Sequence, residues 1–86
     1  MHRDPDDDMT TAEQLAEHNP HAAAEAFSAI ACNRAVDDET RLCAAEALAA
    51  IDPGAAAPAC LAIARDGRVG DEVRLSAAEL LSAHTP

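Results

Sequence analysis

The sequence predicts an all-α fold, a short solenoid of about five antiparallel helices arranged as two and a half hairpins on a 33-residue period. Three observations carry this expectation. Residues 19–51 lie over residues 52–84 without a gap, and eighteen of the thirty-three paired positions are identical. Alanine inflates that count, but Pro20/Pro53, Ile30/Ile63, Val36/Val69, Asp38/Asp71, Arg41/Arg74, Leu42/Leu75, Glu46/Glu79 and Leu48/Leu81 match independently of it. Over half of the hydrophobic residues are alanine, the best intrinsic helix former, and Phe27 is the only aromatic. Finally, each unit carries start signals for two helices. A self-similar period of this length is the signature of stacked supersecondary units.

The elements follow in order. Residues 1–9, MHRDPDDDM, hold four aspartates and a proline and cannot bury apolar surface, so they are expected to form a disordered acidic tail. A leading half-repeat is expected over 10–18, where Thr10-Thr11-Ala12-Glu13 has the capping-box spacing. AEQLAEH at 12–18 matches AEALAAI at 45–51 and AELLSAH at 78–84. The first full repeat, 19–51, opens at Asn19-Pro20, an N-cap followed by a proline at the first helical position. Its helices are expected at 20–33 and 38–51, the second capped by Asp38. The second repeat, 52–86, opens at Asp52-Pro53, with helices at 53–66 and 71–84, a turn marked by Asp66-Gly67 and Gly70, and Asp71 as the cap. Pro58 falls inside the fourth helix and predicts either a kink or a later start.

At about 100° per residue the second helix of each unit divides into faces. Thr40, Ala44, Ala47, Leu48 and Ile51 form a core stripe, with Val73, Ala77, Leu80, Leu81 and His84 as equivalents. Leu42, Ala45 and Ala49 form a flank against which the next unit would stack. Their counterparts are Leu75, Ala78 and Ser82, and the last helix is expected to leave Leu75 and Ala78 on an uncovered flank. Glu39, Cys43, Glu46 and Ala50 point outward, matched by Glu72, Ser76, Glu79 and Ala83.

Charge excludes one class of partner. The formal net charge is −10, from sixteen acids against six arginines and no lysine. That balance opposes binding to a phosphate backbone, which needs clustered positive charge, and favours a basic partner. Arginine without lysine, with the alanine load, suggests a high-GC bacterial genome. Cys32, Cys43 and Cys60 are odd in number and lack C-x-x-C spacing, a poor framework for disulfides or zinc. With no signal-peptide core and no long apolar run, the expected location is the cytoplasm and no membrane contact is expected. No nucleophile–base pair, phosphate loop or metal-ligand cluster is evident, so neither an enzymatic activity nor a cofactor is expected.

DDETRLCAAEALAAI and GDEVRLSAAELLSAH resemble the second-helix signature of HEAT repeats, in particular the short PBS-lyase-like (E-Z type) class. Asp38, Arg41, Ala44, Ala45 and Leu48 fit the pattern, as do Asp71, Val73, Arg74, Ala77, Ala78 and Leu81. Thr40 stands where valine is usual and Leu80 where alanine is usual. PACLAIARDG is similar to the family's proline-bearing first helix, so the resemblance spans about residues 10–84. It implies a right-handed α-solenoid that acts as a protein-binding scaffold. HEAT-like deoxyhypusine hydroxylases place a His-Glu pair after the arginine to bind iron; Leu42-Cys43 and Leu75-Ser76 stand there in this chain. HEAT-like DNA glycosylases use a basic concave face, and this one is acidic. No residue matches a bilin-lyase catalytic position.

The resemblance also implies that second helices line the concave side. Glu13, Glu17, Glu39, Cys43, Glu46, Glu72, Ser76 and Glu79 would then share one groove, expected to dock an arginine- or lysine-rich segment of a protein partner. The plain alternative is a solvated polar face. Acidic neighbours should make the Cys43 thiol a sluggish nucleophile. Cys60, aligned with Phe27, reads as a small buried hydrophobe, Cys32 as exposed, and His18 and His84 as polar helix ends suited to the dipole. Arg41 and Arg74 are expected to pair with Asp38 and Asp71. A rival expectation is self-assembly, a homodimer completing the stack through Leu75 and Ala78. A third is an acidic mimic of nucleic acid that inhibits a DNA-binding protein.

Overall fold

Proline and a preceding Asn or Asp start two of the helices as the sequence leads one to expect. In the computed structural model, which describes residues 5–84, the five helices are α1 (Pro5–His18), α2 (Pro20–Cys32), α3 (Asp38–Ile51), α4 (Pro53–Arg65) and α5 (Asp71–His84). Asn19 accepts from the Ala22 amide at 3.2 Å and Asp52 from the Ala55 amide at 3.2 Å. Each satisfies a first-turn N–H that has no partner within its helix. The same two residues also end the preceding helices, donating to the Leu15 and Leu48 carbonyls at 2.6 and 2.7 Å. One residue therefore serves as C-cap and N-cap, and α1–α2 and α3–α4 are joined without a linker.

The two longer turns are alike at the level of individual hydrogen bonds. Asn33 ends α2 and its Oδ1 accepts from the Ala35 amide at 2.9 Å; Asp66 ends α4 and its Oδ1 accepts from the Arg68 amide at 3.0 Å. Val36 and Val69 then donate to the Asn33 and Asp66 carbonyls at 3.1 and 3.0 Å. No described residue has a positive φ, so Gly67 and Gly70 are not required by left-handed geometry, and Arg34 occupies the Gly67 position of the other turn.

Three expectations are corrected. First, α1 begins at Pro5 and not near Thr10, so the run at 5–9 is helical, with a proline at its first position. Thr10-Thr11-Ala12-Glu13 accordingly lies inside a helix; the rest of the expected tail, 1–4, lies outside the described residues. Second, Asp37 and not Asp38 caps α3, accepting from the Thr40 amide at 3.1 Å and its hydroxyl at 2.8 Å. Gly70 takes the matching place before α5: the Arg74 amide donates to its carbonyl at 3.0 Å. Third, α4 starts at Pro53 and continues through Pro58, so the later start is excluded. The bond lost there is to the carbonyl of Gly54 in the exposed first turn, where water can substitute.

Each helix packs on its sequence neighbour; α1 also touches α3, α3 touches α5, and α2 touches α4. The core between them is built of small residues around a few large ones. Ala12, Ala23, Ala31, Ala44, Ala45, Ala56, Ala59 and Ala77 are buried, with Phe27, Leu48, Ile63 and Cys60 as the largest fully buried side chains. Phe27 and Cys60 occupy equivalent positions in the two units, and both are buried. Of the core stripe on α3, Ala44 and Leu48 are buried and Thr40, Ala47 and Ile51 half-buried; on α5, Ala77 is buried and Val73, Leu80 and Leu81 half-buried. Side-chain placement of His84 lies outside the described residues. Among the described residues no helix is long and apolar enough to cross a membrane.

Candidate functional site

The expected outward residues are all exposed: Glu13 and Glu17 on α1, Glu39, Cys43 and Glu46 on α3, Glu72, Ser76 and Glu79 on α5. The structure brings only part of this set together. Where α1 crosses the first turns of α3, an open cleft of about 330 Å³ is lined by Met9, Glu13, Asp37, Glu39, Thr40 and Cys43. Asp37 was not among the expected site residues. Its place at the cleft follows from its role as the cap of α3, and the neighbouring Asp38 masked that role in the sequence.

Cys43 reports the potential in this cleft. Its thiol is pushed above the ordinary range, first by burial and then by the charges of Glu46, Glu39, Asp37 and Glu13. Four carboxylates, one on α1, two on α3 and one at the α3 cap, therefore act on one sulfur. Glu17, Glu72, Ser76 and Glu79 stand apart from the cleft, exposed on α1 and α5. The Asp37 carboxyl is held below the usual range chiefly by the Thr40 hydroxyl, then by the Thr40 amide, so it stays charged.

A second cleft, of about 290 Å³, has the opposite character and was not anticipated. Cys32, Arg34, Arg41, Ala62, Arg65, Asp66 and Gly67 line it. Arg41 is buried, with 2% of its surface exposed. Its Nε donates to the Ala31 carbonyl at 2.9 Å and its Nη1 to Asp66 Oδ2 at 2.9 Å; Arg34 Nε approaches the same oxygen at 3.5 Å. The expected Arg41–Asp38 pair is thus corrected. Asp38 instead accepts from the Gly70 amide at 2.8 Å, a contact spanning 32 residues. Arg74 does pair with Asp71, on the surface of α5. Asp66, its side chain 6% exposed, is held below the usual carboxylate range by the Arg41 hydrogen bond first and the Arg68 amide second. The sequence signal that could have found this pair is the equivalence of Asn33 and Asp66, two side chains closing first helices in register.

Cys32 is exposed and Cys60 buried, its thiol pushed up by burial. Among the described residues no three His, Cys, Asp or Glu side chains converge to hold a metal ion. The chain matches no family model, no curated protein and no solved structure.

Proposed function

We propose that the chain is a small HEAT-like α-solenoid of antiparallel hairpins that works as a non-catalytic protein-interaction module, docking a basic segment of a partner against its acidic side. The observation that carries the reading is the cleft in which Glu13, Asp37 and Glu39 surround Cys43. A rigid wall of short side chains bearing several like charges attracts the opposite charge and selects against acidic ligands. Glu46, Glu72 and Glu79 extend the acidic side along α3 and α5 and would hold the rest of such a segment. The groups in the cleft are suited to binding: burial and the surrounding carboxylates disfavour the thiolate that a nucleophile would need.

The test is affinity for a fluorescent oligo-arginine peptide. Glu46→Lys should weaken binding strongly, whereas Glu25→Lys, an equal charge change at an exposed position on α2, should weaken it little. Equal losses from both variants would reduce the effect to net charge and reject the docking face.

A second reading, self-association, is favoured by one specific observation. Leu75 is 61% exposed, and Ala78 beside it on the helix is exposed as well. Light scattering at high micromolar concentration tests it, since a strict monomer rejects the homodimer.

A further inference from the structure

The chain is strongly acidic, yet its arginines are not spread evenly. Arg34, Arg41 and Arg65 line one open cleft of about 290 Å³, where the ends of α2 and α4 meet the start of α3. Among the described residues Asp66 is the one carboxylate in its wall. Three guanidiniums against one carboxylate make this cleft cationic in a chain whose net charge is −10.

Only one of the three arginines belongs to the repeat. Arg41 has Arg74 as its equivalent, whereas Arg34 stands where the other unit has Gly67, and Arg65 where it has Cys32. Both departures add positive charge to the same cleft. A basic residue in a last helical turn, as Arg65 is in α4, offsets the negative helix end. That accounts for one cation, and not for two more brought in by the α2–α3 turn and by α3. The ends of α2 and α4 bring at most about half a negative charge each, so the excess stays positive.

The donors are also incompletely used. Arg41 is buried, with its Nε on the Ala31 carbonyl and its Nη1 on Asp66. Its Nη2 has no hydrogen bond among the described residues and is not sealed from solvent, so it opens into the cleft that Arg41 lines. Arg34 approaches Asp66 only at 3.5 Å and is 64% exposed. Arg65 is exposed and has no salt bridge among the described residues. A carboxylate offers two coplanar oxygens and suits one guanidinium fork. A phosphoryl group offers three acceptor oxygens, which guanidiniums from different elements can share.

We propose that this cleft binds a small oxyanion of the phosphate class, held by Arg34, Arg41 and Arg65 while Asp66 keeps its bond to Arg41. The ligand is small because the rest of the chain repels anions. At physiological salt charges act over about 8 Å, so a small anion feels mainly the cleft, whereas a nucleic-acid strand also meets the surrounding carboxylates. Occupancy joins α2, α3 and α4 and stabilises the folded chain. The site is separate from the acidic cleft and does not depend on it.

The test is a ¹H–¹⁵N NMR titration of the full chain with sodium phosphate at neutral pH, with ionic strength held constant by sodium chloride. The amides of Cys32, Arg34, Arg65, Asp66 and Gly67 should shift together and saturably. Arg34→Gln plus Arg65→Gln should raise the dissociation constant roughly tenfold. Arg68→Gln, at an exposed arginine of the same turn that does not line the cleft, should change it less than about twofold. All three replaced arginines are exposed, and urea midpoints in chloride check that the variants fold. In a Cys43→Ser background, phosphate should slow iodoacetamide alkylation of the exposed Cys32 several-fold relative to chloride at equal ionic strength. Acetate should bind about tenfold more weakly than phosphate. Phenyl phosphate separates the two sources of the anion: tighter binding than phosphate identifies a monoester, and weaker binding the free ion. An equal loss from Arg68→Gln, equal affinity for acetate, or shifts that fail to saturate at tens of millimolar phosphate would overturn the proposal. So would tighter binding of a single-stranded oligonucleotide at the same amides.

Discussion

Arg41 and Asp66, 25 residues apart, meet at 2.9 Å at the wall of a cleft, Arg41 buried and Asp66 half-buried, and tie α3 to the end of α4. The guanidinium is also anchored on the Ala31 carbonyl, so one side chain holds α2, α3 and α4 together. In a core made largely of alanine, this charged pair supplies a directional contact that small apolar residues cannot. Burying it is costly unless every donor is met, and removing one partner leaves the other stranded.

Replacing Arg41 with Gln should therefore destabilise the chain by about 3 kcal/mol in denaturant unfolding. The equivalent Arg74→Gln removes a solvent-exposed pair and should cost under about 0.5 kcal/mol. Equal costs would show that burial does not distinguish the two arginines.

Acid should erase the Asp66 contribution. Its folded pKa is depressed, so the stabilisation is present above the unfolded carboxyl value of about 3.9 and is lost as pH falls through the lower folded value. The stability gap between wild type and Asp66→Asn should stay constant from about pH 5 to 8 and close below about pH 4. A gap that closes near neutrality would contradict the depressed pKa.

Asp37 and Asp38 are adjacent, but they have different tasks. Asp37→Ala should cost about 1 kcal/mol through loss of the α3 cap. Asp38→Ala should leave α3 intact and speed hydrogen exchange at the Gly70 amide, which loses its acceptor. Protection at Gly70 unchanged in Asp38→Ala would refute the contact.

The Cys43 thiol is disfavoured as a thiolate by burial and by Glu46 and Glu39. In a Cys32→Ser background at fixed pH near 8, alkylation by iodoacetamide should speed up roughly two- to fivefold on Glu39→Gln plus Glu46→Gln. Added salt should act in the same direction on the wild type. A rate indifferent to both changes would leave burial as the sole cause.

Most helix boundaries were legible because they rest on local chemistry. Asn19-Pro20 and Asp52-Pro53 announce α2 and α4, and the period places α3 and α5. The same local rules were available for Pro5 with Asp6, Asp7 and Asp8, but that composition also describes a solvated tail, and only packing of α1 on α2 decides between the two. The Asp37-Asp38 pair offers two caps at adjacent positions; the Thr40 hydroxyl, donating to Asp37, settles which one acts. Arg41 was misassigned for a different reason. Its partner is distant in sequence, and Asp38 was a plausible local substitute. Of the outward residues, periodicity correctly gave the exposed face of α3, but it could not show that α1 crosses beside Cys43 and brings Glu13 to Glu39. That depends on how two helices pack.

Binding at the acidic side is tested most directly by a two-dimensional ¹H–¹⁵N NMR titration of the full chain with an oligo-arginine peptide. The amides of Glu13, Asp37, Glu39, Cys43 and Glu46 should shift together and saturably, with smaller shifts at Glu72 and Glu79 and little change along α2 and α4. Shifts spread evenly over all five helices, or centred on α2 and α4, would contradict a docking face at the cleft between α1 and α3.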